Sequence, residues 1–192
     1  MKLLSVLAVG LLLARPVSAQ DYDKGWAAFE ADDYAAALSE WRPLAERGNT
    51  RALWWLAHMY ESGKGVPQDY AEAIRLYKLA AEQGDFGAIY ELGSIYFKGE
   101  ITPQDYAESS RWYRLGAEQG HSRSQAALGP AYEYGRGVPQ DYITAHMWYN
   151  VSGSALAALA RDGLASEMSF ADIFEAQRRA RVCLASNYQD CD

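Results

Sequence analysis

The sequence predicts an all-helical stack of helix hairpins, an α-solenoid, and three observations predict it. The first is a repeat. Pro67-Gln68-Asp69-Tyr70 returns as Pro103-Gln104-Asp105-Tyr106 and as Pro139-Gln140-Asp141-Tyr142, each time 36 residues further on. Ala45-Glu46-Arg47-Gly48, Ala81-Glu82-Gln83-Gly84 and Ala117-Glu118-Gln119-Gly120 keep the same step, and a period of this size marks an array of stacked supersecondary units. The second is apolar spacing of helical period: Ala52, Leu56, Met59 and Tyr60 fall on one helix face, and Ala88, Leu92, Ile95 and Tyr96 repeat it. The third is punctuation, with a glycine closing each half-unit and an aspartate opening each second half. One hairpin cannot bury such a stripe alone, whereas neighbours in a stack bury it for each other.

Taken in order, residues 1–19 read as a secretory leader. Lys2 precedes an apolar run over 3–14, and Val17-Ser18-Ala19 supplies small residues at a cleavage point; the run is too short to span a bilayer comfortably, and an uncleaved N-terminal anchor is the lesser alternative. Cleavage near Ala19 would remove Lys2 and Arg15 and lower the net charge by two, from −7 to −9. An acidic mature chain argues against nucleic acid or an anionic membrane as the main partner. A periplasmic or secreted protein with no stable membrane span after cleavage is therefore expected.

Residues 20–48 form an atypical first repeat, with a shortened first helix at about 23–31 and a second helix aligned through Asp33 and Tyr34. Fuller repeats are expected at 49–84, 85–120 and 121–152. Their first helices run at about 50–62, 86–98 and 122–134 and stop at Gly63, Gly99 and Gly135, since glycine accepts the left-handed conformation of a helix end. Their second helices open at Asp69, Asp105 and Asp141, with Glu72 and Glu108 three residues on as in a capping box. Ala57, Gly93 and Gly129 are small at one matched position, which predicts a close approach of two helix backbones. Ala73, Leu76, Tyr77 and Ala80 carry the packing face of the second helix, and Trp112, Tyr113, Trp148 and Tyr149 fill equivalent places later. Pro43 and Pro130 fall inside helices and should kink them.

Residues 153–192 leave the period. One helix is expected over 156–168, and another from a Ser169/Asp172 cap to about 185. They are expected to cap the array, because Leu156, Leu159, Ile173, Phe174 and Val182 need a surface to cover, and a partner-binding tail is the alternative. Cys183 and Cys191 are the only cysteines, and in an exported chain they read as a local disulfide staple.

Leu92-Gly93-x-x-Tyr96, the Gly-x-Gly-Val turns at 63–66 and 135–138, the pairs Trp112-Tyr113 and Trp148-Tyr149, and the closing Ala-Glu-Gln-Gly resemble Sel-1-like repeats, relatives of the tetratricopeptide repeat. The resemblance covers residues 33–152. It implies a right-handed superhelix of antiparallel helix pairs whose first helices line a concave side that holds partners. Trp41-Arg42-Pro43-Leu44 and Ala145-His146-Met147-Trp148-Tyr149-Asn150 are similar to exported bacterial members. One turn departs from the pattern: Ile101 stands where a second glycine is expected, and a β-branched residue resists positive φ, so this turn should differ locally. Cys-rich members are linked to β-lactam binding or hydrolysis through a Cys pair in each repeat, but here no Cys precedes position 183.

Catalytic chemistry is not legible. His58, His121 and His146 form no H-E-x-x-H motif and sit at no zinc spacing with Cys. His146 aligns with Ile74 and Ser110 and reads as a packing residue. Gly63-x-Gly65 and Gly135-x-Gly137 lack the third glycine and preceding strand of a dinucleotide loop. No nucleophile–base pair is visible. No metal, cofactor or enzymatic activity is expected.

One feature rises above packing. Indexed against the Ala52–Leu56–Tyr60 stripe, the opposite face of the first helices carries Arg51, Trp54, His58 and Glu61, then Gly87, Tyr90, Ser94 and Phe97, then Arg123, Ala126, Pro130 and Glu133. Clustered aromatics on an open face mark recognition surface. Trp54, Tyr90 and Phe97 are therefore candidate anchors for a protein or peptide of the cell envelope, with Arg51, Arg123 and Glu61 as charged neighbours. Curling of the superhelix could instead bury the aromatics between units, and Trp55 reads as core. A peptidoglycan- or glycan-binding role is the alternative, and a β-lactamase-like hydrolase ranks last.

Overall fold

The computed structural model describes residues 19–191, so residues 1–18 of the expected leader lie outside the described residues. Ten helices and no strand occur among the described residues: α1 Ala19–Glu30, α2 Tyr34–Glu46, α3 Thr50–Ser62, α4 Tyr70–Ala81, α5 Phe86–Lys98, α6 Tyr106–Ala117, α7 Ser122–Tyr134, α8 Tyr142–Ser152, α9 Ala155–Ala165 and α10 Phe170–Ala185. Among them no helix is long and apolar enough to cross a membrane. Helices pair as α1·α2, α3·α4, α5·α6 and α7·α8, and each second helix also packs on the next first helix. That connectivity is an α-solenoid. The first helix of the opening pair is not shortened: α1 has 12 residues against 13 for α3.

Local chemistry sets the helix ends. The carboxylates of Asp69 and Asp105 accept from the N–H of Glu72 and Glu108 at 3.0 and 2.9 Å, and Asp141 accepts from Ile143 and Thr144. The capping box is only half formed, because the Glu72 and Glu108 side chains pair forward with Arg75 and Arg111 and do not reach back. Gly63, Gly99 and Gly135 end α3, α5 and α7 in the left-handed region. Lys64 and Arg136 N–H then close onto the Met59 and Ala131 carbonyls, and Gly65 and Gly137 follow at φ of +72° and +75°. The turn at Ile101 takes another path, since Ile101 is not among the positive-φ residues. Pro43 and Pro130 both lie inside continuous helices, α2 and α7.

The small residues at 93 and 129 answer a side chain, where backbone contact was expected. A Cβ on Gly93 would stand 2.6 Å or less from two atoms of the Tyr113 ring, and one on Gly129 would meet the Tyr149 ring in the same way. Each tyrosine lies 20 residues beyond its glycine, as Tyr77 lies beyond Ala57.

The interior is not uniformly dry. One apolar cluster runs from α2 to α5 and a second from α6 to the chain end. Between them lie buried Ser109, Ser110, Ser124 and Gln125. The Ser109 and Ser110 hydroxyls donate to the Gly93 and Arg136 carbonyls, and Gln125 Nε2 donates to the Ala117 carbonyl. Bonded this way, polar side chains can sit inside without the cost of an unmet group.

At the carboxyl end α9 and α10 both pack on α8 and form no hairpin with each other. Enclosed by α7, α9 and α10, α8 is buried at every position from Thr144 to Tyr149. The covering residues of α10 are Ala176, Ala180 and Cys183. The apolar residues expected to need cover do not find it: Leu156, Leu159, Phe174 and Val182 are 79, 71, 64 and 42% exposed, and Ile173 is half-buried. The small residues of α10 do the covering because they let that helix come close to α8. Cys183 and Cys191 stand at disulfide distance, with Cα atoms 4.4 Å apart. The loop they close lays the Tyr188 ring against Gly120.

Candidate functional site

The face opposite the packing stripe is built by α3, α5 and α7. On α3, Arg51 is exposed, with its guanidinium 5.8 Å from the centre of the Tyr22 ring. Trp54 is half-buried. It stacks on His58 at 5.6 Å and meets Trp55 and Tyr77 edge-on. Its Nε1 is buried without a hydrogen-bond partner, and Gly87 leaves room for the ring beside α5. Glu61 holds a neighbouring helix in place, since its carboxylate accepts from the Tyr77 hydroxyl at 2.9 Å, as Glu133 accepts from Tyr149. Trp55 joins Trp26, Phe29 and Trp41 in one aromatic cluster.

On α5, Tyr90 is half-buried, 5.6 Å from the Tyr113 ring and 6.1 Å from His121. Phe97, at the far end of the helix, packs between Tyr106 and the Arg136 guanidinium, each 5.5 Å away. That places it at the rim of the turns, away from Tyr90. Glu91 lies between the Glu61 and Arg123 sides of the face; burial, and then Glu61, push its carboxyl above the usual range, while Lys98 and Arg123 oppose this. His146 is buried in α8, and burial holds its imidazole below the usual range.

Two of the expected residues, Tyr90 and Arg123, come together in one cleft of about 470 Å³, with Ala126, Pro130, Leu156 and Ala160 on its walls. Trp54, Phe97, Arg51 and Glu61 do not line it. Sequence reasoning missed the α9 wall, although a signal was present. Asn49, Asp85 and His121 precede the first helices at a spacing of 36, and Ser154 follows His121 by 33. Aligned on Ser154, Ala157 and Leu164 match buried Ser124 and Ala131, and both are buried themselves. Leu156 and Leu159 then match Arg123 and Ala126 on the open face. So α9 is a fifth first helix whose own second helix has moved over to α8.

The Sel1 repeat family pattern matches residues 50–85, 87–121 and 122–152. The chain belongs to this family. A Sel1 repeat protein from Oxalobacter formigenes has a similar structure, with 32% identity and a TM-score of 0.61 over 66% of this chain and 97% of that one. A protective antigen of uropathogenic Escherichia coli displaying an SLR fold matches 88% of this chain at 24% identity and a TM-score of 0.51. The chain spans 46% of that antigen's length, and this second likeness concerns the fold alone. No curated protein matches.

Proposed function

We propose that this chain is an exported, non-catalytic scaffold that holds a polypeptide of the cell envelope along the face built by its first helices. The observation that carries the reading is the cleft in which α5, α7 and α9 bring Tyr90, Arg123 and Leu156 together on the side the stack does not use for packing. A concave, mostly apolar surface with a few placed polar groups is the ordinary form of a recognition site. The leader at residues 1–19 supports an envelope location.

The test is a peptide-display selection against the chain from residue 20 onward, with amide exchange mapping of the enriched peptides. The expected result is protection of α3, α5, α7 and α9. Protection confined to α4, α6 and α8 would overturn the reading. So would an empty selection combined with co-sedimentation on purified peptidoglycan, which favours the glycan role. In a bacterial host the mature chain should start at Gln20 in the periplasmic fraction or the medium, and a cytoplasmic product of full length removes the export part.

A further inference from the structure

The inference here rests on the reading that the open face holds a polypeptide, and narrows it. The cleft at the α5/α7/α9 end has an uneven composition. Its walls include Tyr90, Pro130, Leu156 and Ala160 with the hydroxyl-bearing Tyr149 and Ser154, and among the described residues its one charged lining residue is Arg123. Among the described residues no ion pair or hydrogen bond occupies the Arg123 side chain, which is exposed and lies in the field of the Glu91 carboxyl. The chain as a whole carries a net charge of −7, so this cation stands against the general field of the protein. A single exposed guanidinium beside an apolar surface favours a carboxylate and disfavours an ammonium by a modest, solvent-screened margin.

Leu156 and Leu159 supply the apolar half of the site. They are 79 and 71% exposed and stand on neighbouring turns of α9, on the face continuous with Arg123 and Ala126. Scattered exposed leucines are ordinary, but Leu156 lines the cleft itself and Leu159, outside its lining, continues the apolar surface one turn further along α9. The geometry points to an apolar polypeptide segment with an acidic side chain beside its apolar residues, seated across α7 and α9, its carboxylate on Arg123 and its apolar side chains on Leu156, Leu159 and Tyr90.

The probes are end-blocked dodecapeptides with two leucines one helical turn apart and a Glu, Gln or Lys between them, titrated against the chain by calorimetry. The Glu peptide is expected to bind about two- to fivefold more tightly than the Gln peptide, with the Lys peptide weakest. Arg123→Glu should reverse that order, and Leu156→Asp should weaken all three. Both positions are exposed, so unchanged melting curves show that the variants fold. Equal affinity for the Glu and Gln peptides, or an Arg123→Glu variant that keeps the original order, overturns the inference. So does stronger binding of peptides with a free C-terminal carboxylate and no Glu, or a concentration-dependent dimer abolished by Leu156→Asp. If display-selected peptides bind and protect α3 and α5 while the Arg123 and Leu156 variants behave as wild type, this inference falls and the broader reading stands. If no peptide binds anywhere, both fall.

Discussion

Residue by residue, the strictest demands come from the glycines under tyrosine rings. A Cβ at Gly129 would reach 2.1–2.7 Å from the Tyr149 ring, too close without displacing it. Gly129→Ala should therefore destabilise the fold by about 1–3 kcal/mol, although alanine is the better helix former. Gly163, inside α9, has nothing within 4 Å of a built Cβ, and Gly163→Ala should stabilise by about 0.5–1 kcal/mol. Urea denaturation of the two variants checks both signs, and an equal response at the two sites would contradict the ring-contact account. The need for a small residue at 93 and 129 was legible in the repeat; its cause was not, because a ring 20 positions away is brought there only by hairpin closure.

Helix ends, at the level of elements, were the most legible part of the structure. Asp69, Asp105 and Asp141 cap where the sequence placed them, and α3, α5 and α7 have the expected bounds. Caps and glycine stops act over three or four residues, so neighbours in sequence suffice to specify them. Contacts between elements were less legible. Glu91 on α5 meets the field of Glu61 on α3 and Arg123 on α7 only after the helices stack. Its folded-state pKa lies above the ordinary glutamate value, so the native state binds its proton more tightly than the unfolded chain does. Stability from this group thus rises as pH falls through the raised value and is diminished above it. Glu91→Gln should raise the melting temperature at pH 7, and the gain should fade as pH drops below the usual glutamate range. Parallel melting curves at the two pH values decide it, and a gain that persists in acid would assign the effect to packing.

For the whole molecule, the carboxyl end decides how the array finishes. Pairing of Cys183 with Cys191 closes a short loop that holds Tyr188 on Gly120, and Gln189 approaches the Glu118 carbonyl. Replacing both cysteines by serine should cost about 2–3 kcal/mol through the freed loop. It should also raise amide exchange at the α6–α7 connection around Gly120, far away in sequence. A stability loss without that exchange change would mean that the staple acts on α10 alone. The same end explains why the candidate site was only partly legible. Tyr90 and Arg123 were identified from helix indexing, yet Leu156 and Leu159 were assigned to covering the stack. Their place on the open face follows from α10 packing on α8 in place of α9.

The sequence alone determined the all-helical class, the 36-residue unit, the bounds of α3, α5 and α7 with the aspartate caps of the helices that follow them, and the family, because periodicity, caps and glycine stops are short-range chemistry repeated along the chain. Tertiary structure alone decided which open-face residues share a cleft, that Glu61 serves Tyr77, that Phe97 stands apart at the turns, and that α9 extends the face. Those outcomes depend on how whole helices compete for the surface of α8 and of one another, and no window of sequence contains that competition.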